Sequence, residues 1–246
     1  MNSNLEDNRT RIIKIVIFLI SEMFALFSLI FFIREGISTR IIMSIITFAL
    51  ILLPVLAEYI IKKKLLLSFY ILGILYSIGP LLGHSYNLYV ILPWWDELLH
   101  FTGGLVFALF GFEIAKKLCK GRSSEVSIWL IAFFGLFFSM ALSAMWEFAE
   151  YGADQFLGMD MQCDTVIHSI TSYLLDPGQE VPRTIEDINE VIVNGQPLEI
   201  GGYLDIGLND TMRDMLSESL GAVISTAIFT LSKGRFVIFC DKKKQE

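Results

Sequence analysis

The sequence is poor in charged residues, cysteine and histidine. Only 18% of its 246 residues are charged, against about 25% in an ordinary soluble domain. Three cysteines are too few for a disulfide scaffold, and six prolines with 18 glycines are far from a collagen-like composition. A formal net charge of -7 disfavours binding to nucleic-acid phosphates. Hydrophobic residues make up 54% of the chain, which is too many for a disordered protein.

The hydrophobic residues instead fall into long runs. A helix needs about 20 predominantly apolar residues to cross roughly 30 Å of hydrocarbon. Six runs meet this length, at residues 12–33, 41–61, 65–82, 94–114, 126–149 and 212–231. The first is too long for a cleaved signal peptide and no small-residue cleavage site follows it. The sequence therefore predicts an all-α, polytopic membrane helix bundle, with residues 1–246 as one transmembrane domain.

The charged residues predict how the bundle is oriented. Lysine and arginine are retained on the cytoplasmic side of a membrane. With the N-terminus inside, 15 of the 19 Lys and Arg residues fall on the cytoplasmic side, whereas 18 of the 26 acidic residues fall outside. This asymmetry predicts that both chain termini are cytoplasmic.

A long polar segment separates the fifth and sixth runs. Residues 155–208 are acidic and exceed the length of an ordinary connection, so we expect an extracytoplasmic loop, either a small cap or a variable insertion. Asn194-Gly195 is typical of a β-hairpin turn. Thr184, followed by Ile-Glu-Asp, is a candidate start of a short helix.

Ionisable residues are expensive inside a membrane, so their positions are informative. In the fourth span Asp96 and His100 are four residues apart and share a helix face. Gly103 and Gly104 follow, where small residues allow a neighbouring helix to approach. The fifth span ends and the sixth span begins with further acids, which are Glu147, Glu150, Asp154, Asp210, Asp214 and Glu218.

These clusters share one membrane level, because the fourth and sixth spans begin outside and the fifth ends there. If the three spans are neighbours, seven carboxylates and one imidazole converge. Like charges repel strongly in a partly desolvated site, so some of them must be neutralised by Arg213, by protonation or by a divalent metal ion. Oxygen ligands with one imidazole suit Mn²⁺, Mg²⁺, Ca²⁺ or Zn²⁺.

The predicted metal ligands are Asp96, His100, Glu147 and Asp214. Glu150 and Glu218 are the candidate catalytic residues. Glu150 is the candidate general base, and either Glu218 or Arg213 is expected to support the metal ligands or to contact the substrate. A structural interpretation competes for Asp154, Asp210 and Glu97, which can be solvated acids at helix ends.

Three stretches also carry a family resemblance. They are Trp95-Asp96-x-x-x-His100, Trp146-Glu147-x-x-Glu150-x-x-x-Asp154 and Asp210-Thr211-x-x-Asp214. Together they resemble the YjdF-type bacterial inner-membrane proteins. The stretch Asp214-x-x-x-Glu218-x-x-Gly221 is more distantly similar to VanZ-like proteins, which usually have Asn in place of Glu218. The resemblance implies a multi-pass protein of the bacterial cytoplasmic membrane and cell envelope, but no particular reaction.

Three functional hypotheses follow. The first is a metal-dependent enzyme that acts on a lipid or lipid-linked headgroup at the outer face, with membrane lipids as its partners. The second is a cation- or proton-coupled transporter that uses the same acids. The third is a non-catalytic envelope scaffold in which a metal only ties helices together.

Overall fold

Six helices of the described chain are long and apolar enough to cross a membrane, which confirms the predicted fold class. The structure is a computed structural model that describes residues 7–120, 126–235 and 238–240. The six span Asn8–Glu35, Ser38–Ile61, Leu67–Ser85, Trp95–Cys119, Ile128–Leu157 and Leu208–Leu231. Arg122, Lys242, Lys243 and Lys244, which the charge distribution assigns to the cytoplasm, lie outside the described residues.

The helices are labelled in chain order. They are α1 (Asn8–Glu35), α2 (Ser38–Ile51), α3 (Leu53–Ile61), α4 (Leu67–Pro80), the short α5 (Leu88–Ile91), α6 (Trp95–Cys119), α7 (Ile128–Leu157) and α8 (Leu208–Leu231). The second span is divided into α2 and α3 because Pro54 occupies the first turn of α3, where proline is tolerated. The third span continues beyond Pro80 as one π-helical turn, Leu81–Ser85.

The fifth span differs most from its predicted bounds. The apolar run predicted an end at residue 149, whereas α7 continues to Leu157. The extra two turns contain Glu150 and Asp154. These turns are helical although they are polar. Hydropathy indicates which part of a helix lies in the hydrocarbon, so it does not show where a helix that extends into the polar region ends.

The chain divides into two units, Met1–Trp146 with Asp214–Glu246, and Glu147–Arg213. In the first unit α6 is the most buried of the spanning helices. Glycines let other helices approach its backbone. A Cβ on Gly111 would lie 2.7 Å from the Cα of Gly135 on α7, and a Cβ on Gly104 would clash with the backbone of α8. The expectation that the fourth span neighbours the fifth and sixth is therefore confirmed.

A second set of contacts closes the end of this unit that the charges assign to the cytoplasm. Strand β1 (Lys64–Leu65) pairs antiparallel with β8 (Phe239–Cys240). Beside it, buried Glu58 accepts hydrogen bonds from Lys14 Nζ at 2.9 Å and from the Leu65 amide at 3.0 Å. Lys64 pairs with the other oxygen of the Glu58 carboxylate at 2.5 Å. These contacts join the first span, the connection between the second and third spans, and the chain beyond the sixth.

The second unit contains short antiparallel strand pairs. They are β2 (Thr165–Ile167) with β7 (Tyr203–Asp205), β3 (Ile170–Ser172) with β4 (Arg183–Ile185), and β5 (Ile192–Val193) with β6 (Gln196–Pro197). The hairpin predicted at Asn194-Gly195 is confirmed, and both turn residues have positive φ. The helix predicted to start at Thr184 is wrong. Thr184 lies in β4, where its hydroxyl is 2.9 Å from that of Thr171 on β3, a cross-strand pair that favours the sheet.

Candidate functional site

The candidate site lies where α6 and α8 cross. A Cβ on Gly104 would clash with the Glu218 carbonyl oxygen, and a Cβ on Gly221 would clash with the Phe101 carbonyl oxygen. Each glycine therefore lets the opposing backbone come into direct contact. His100 lies one turn before Gly104 on α6, and Asp214 lies two turns before Gly221 on α8. The crossing brings these two sequence-predicted side chains together.

The imidazole of His100 lies between carboxylates. Its Nε2 is 3.8 Å from Asp96 Oδ1 and 3.7 Å from Asp214 Oδ2, whereas its Nδ1 is 3.8 Å from Glu218 Oε2. Hydrogen bonds between nitrogen and oxygen are usually 2.7 to 3.2 Å long. Asp96, His100 and Asp214 each offer one possible ligand atom, and these three atoms lie within 4.8 Å of one another. This spacing suits a metal ion.

The four side chains are largely removed from solvent. Asp214 and Glu218 are 1% exposed and His100 is 4% exposed. With the carboxylates ionised, the group carries three negative charges against at most one positive charge on the imidazole. Such a concentration of charge is costly at low dielectric, so the group favours a bound cation or protons.

The site opens into a cavity of about 250 Å³. Asp96, His100 and Glu218 are its ionisable lining residues, and most of its remaining wall is apolar or aromatic. Tyr89 also lines the cavity, and its hydroxyl donates a hydrogen bond to the Asp96 carboxylate. Its ring packs edge-on against that of His84, with 4.9 Å between the centroids.

Ser139, on α7, forms a hydrogen bond with Glu218. Its hydroxyl is 3.4 Å from Glu218 Oε1 and 3.3 Å from the Gly104 carbonyl oxygen. Sequence reasoning missed both Ser139 and Tyr89. Ser139 is a polar residue within a strongly apolar run, which is a usable signal, whereas Tyr89 precedes the fourth span and nothing in its spacing links it to Asp96.

The remaining predicted site residues lie in the second unit, on α7. Glu147 and Glu150 are both buried at 4% exposure, and their assignments as ligand and general base stay predictions. Asp154 has a structural role, because its carboxylate accepts hydrogen bonds from the Met161 amide at 2.6 Å and the Gln162 amide at 2.9 Å. Asp154 is thus half-buried and hydrogen-bonded within the protein, whereas the structural interpretation expected a solvated acid.

Asp210 and Glu97 are half-buried residues in the first turns of α8 and α6. Carboxylates at these positions interact favourably with the positive end of a helix dipole. Their placement agrees with the structural interpretation that competes with a role in the site.

The fold and the site together define a six-span membrane protein with a buried carboxylate and histidine cluster between two spans. A model of the family described as "Predicted membrane protein (DUF2238)" matches residues 15–235, and the chain belongs to this family. The family is consistent with the resemblance to YjdF-type proteins, whereas the likeness to VanZ-like proteins stays a prediction. No curated protein and no solved structure matches the chain.

Proposed function

We propose that this protein is a metal-dependent enzyme of the bacterial cytoplasmic membrane that acts on a lipid headgroup at the outer face. The observation that supports the proposal best is the position of His100 Nε2, 3.7 and 3.8 Å from two aspartate oxygens in a buried site. The proposed metal ligands on α6 and α8 are Asp96, His100 and Asp214.

The spacing of these atoms fits a divalent cation. Ligand bonds of about 2.1 to 2.4 Å, at tetrahedral or octahedral angles, place neighbouring ligand atoms roughly 3.0 to 3.9 Å apart. The two distances from His100 Nε2 lie within this range. A divalent cation would also offset two of the three negative charges, which neither a hydrogen bond nor a neutral imidazole does.

Glu218 is proposed as a positioning residue for His100. Its carboxylate faces Nδ1, whereas the two aspartates face Nε2. Metal-bound histidines commonly donate the hydrogen of their other ring nitrogen to a carboxylate, which fixes the tautomer and the ring orientation. Ser139 in turn restrains the Glu218 carboxylate. The position of Glu218 supports this role better than direct contact with a substrate.

The proposed reaction is hydrolysis of a phosphoryl or acyl ester in the headgroup region. A bound cation would supply Lewis acidity toward the ester oxygen. Glu150, assigned from the sequence, is the proposed general base that removes a proton from water, and Glu147 is a proposed further ligand. Water adds across the ester bond, the leaving oxygen takes a proton, and no redox partner is required.

Elemental analysis of the detergent-purified protein tests the metal. We expect a stoichiometric divalent metal in the wild type and almost none in His100→Ala or Asp214→Asn. His168→Ala is the matched control, because that histidine lies in the second unit with its Nδ1 3.0 Å from the Ile188 carbonyl oxygen. For Glu218→Gln we expect metal binding to weaken about 10- to 100-fold. A metal-free wild type would overturn the proposal.

Glu150→Gln separates catalysis from the alternatives. We expect the variant to keep its metal and its melting temperature but to lose headgroup release from vesicles of bacterial phospholipids, followed by mass spectrometry. If every acid substitution unfolds the protein, a scaffold role is favoured instead. Cation flux into proteoliposomes that depends on Asp96, without headgroup release, would favour the transporter.

A further inference from the structure

A second cavity, of about 230 Å³, adjoins the site in the first unit. The two cavities share four lining residues, which are Leu53, Tyr76, Phe107 and Leu142. We propose that the second cavity binds one acyl chain of the phospholipid whose headgroup the site takes. This inference rests on the proposed function and names its substrate class.

The lining of this apolar cavity suits hydrocarbon. It is formed almost entirely by aliphatic and aromatic side chains, among them Ala57, Val106, Phe110 and Phe239. Ser77 is one of its few polar lining residues, and its hydroxyl lies 2.8 Å from both the Leu50 and the Gly73 carbonyl oxygens. The wall therefore attracts a ligand chiefly by dispersion and exclusion of water, which favours an alkyl chain over a polar molecule.

The depth of the two cavities fits an ordinary membrane lipid. From Asp96 to Phe107, the last residue of α6 in the site cavity, the helix rises 11 residues, or about 16 Å at 1.5 Å each. A lipid leaflet is about half of a 30 Å hydrocarbon core, roughly 15 Å. A chain whose headgroup lies at Asp96 therefore reaches Phe107, and the apolar cavity extends along α6 to Phe110.

The apolar cavity can also be reached from the bilayer. Leu56 and Ile60 line it and are 48% and 39% exposed on the surface of α3. In a membrane that surface is covered by lipid, so an acyl chain can enter sideways without crossing water. An apolar space in contact with lipid and joined to a polar site matches a molecule with one charged end and one hydrocarbon end.

A photoactivatable phospholipid with a diazirine at the end of one acyl chain tests the inference. It is reconstituted with the full-length protein in phospholipid vesicles, and the labelled residues are identified by mass spectrometry. We expect labelling where a chain of this length ends in the apolar cavity, on Val106, Phe107 or Phe110. Labelling confined to lipid-exposed side chains such as Leu19 and Phe27 would overturn the inference.

Ala57→Phe fills the apolar cavity and should reduce this labelling several-fold. Val55→Phe is the matched control, since Val55 lies on the same helix, is 43% exposed and does not line the cavity. Val106→Phe fills the cavity from α6 and replaces Ala57→Phe if that variant melts early. Equal labelling in the filled and control variants would overturn the inference.

Two further arms separate this inference from the proposed function. Cavity labelling in a wild type that holds no metal would support the acyl-chain site while the metal-dependent function fails. A long isoprenyl phosphate is added as a competitor of the phospholipid probe. If it displaces the probe from Phe110 and shorter phospholipids do not, the assignment to a phospholipid is overturned.

Discussion

Gly104 on α6 packs directly against the backbone carbonyl of Glu218 on α8, and no side chain fits between them. This contact sets the distance between the helix that carries Asp96 and His100 and the helix that carries Asp214 and Glu218. The geometry of the candidate site therefore depends on a residue that has no functional group.

Gly104→Ala should consequently destabilise the protein. The added methyl group must separate two backbones, and overpacking of this kind costs typically about 1 to 3 kcal/mol. Unfolding in a detergent titration measures the change. Gly152→Ala is the control, because nothing lies within 4 Å of a Cβ at Gly152. There alanine should be neutral or stabilising by about 0.5 to 1 kcal/mol, as it is a better helix former. Equal losses in both variants would contradict the close-contact explanation.

Glu58→Gln should destabilise the opposite end of the bundle. The substitution removes the carboxylate that faces Lys14 and Lys64, and breaking a buried ion pair from one side typically costs about 3 to 5 kcal/mol. The double variant Lys14→Met with Glu58→Gln should recover part of this loss, because it also removes the buried positive charge. The same unfolding titration measures both, and a double variant less stable than Glu58→Gln would argue against the prediction.

Asp154→Ala should loosen the segment that follows α7. The variant loses two hydrogen bonds from the Met161 and Gln162 amides to a charged acceptor, each worth about 1.5 to 3 kcal/mol. Limited proteolysis should then cleave near residues 158–164 many times faster. Glu190→Ala, an exposed acid in the same unit, should leave the cleavage rate unchanged.

The stability of the same unit, Glu147–Arg213, should depend on pH through Asp164. Asp164 is exposed, but a slight loss of hydration raises the pKa of its carboxyl above the ordinary value, and the nearby Asp160, Asp154 and Asp205 raise it further. The folded unit therefore holds this proton more tightly than the unfolded chain does, so the stability falls as the pH rises from about 3.9, the ordinary value, through the raised value.

Asp164→Asn should remove this loss. Near pH 7 the variant should resist proteolysis more than the wild type, and well below about pH 3.9 the two should converge, because the wild-type carboxyl is then protonated. An acid-stable protease is used at the lower pH. Glu186→Gln, a change at an exposed acid of the same unit, is the control. A difference between wild type and Asp164→Asn that persists in acid would contradict the electrostatic cause.

The orientation in the membrane is testable with single cysteines. In a cysteine-free background, Glu190→Cys should react with a membrane-impermeant maleimide in intact cells, and Lys120→Cys only after permeabilisation. The reason is that the charge distribution places residue 190 outside and residue 120 inside. Reaction of Lys120→Cys in intact cells would reverse the predicted orientation.

Much of the fold could be predicted from the sequence because the bilayer imposes a length on apolar runs. The convergence of Asp96, His100, Asp214 and Glu218 could be predicted as well, since helical spacing and a common membrane level bring them to the same depth. The sequence did not indicate which atoms face each other. The interatomic distances in the structure show that Nε2 of His100 faces the aspartates and Nδ1 faces Glu218.

The segment between α7 and α8 was harder to predict. The Asn194-Gly195 turn is specified locally, so its hairpin was predictable. Strand β4 depends on pairing with β3, at a separation of about a dozen residues. The local sequence at Thr184, followed by two acids, resembles a helix start, and the partner strand determined the outcome.

The pairing of β1 with β8 has a consequence for biogenesis. Residues 64 and 65 leave the ribosome long before residues 239 and 240, which follow the last spanning helix. Their two-residue ladder, and the 2.8 Å hydrogen bond from the Leu66 amide to the Ile238 carbonyl, can form only after all six helices have been synthesised. A nascent chain halted before residue 238 would lack this junction, so the first and last parts of the chain are joined only in the finished protein.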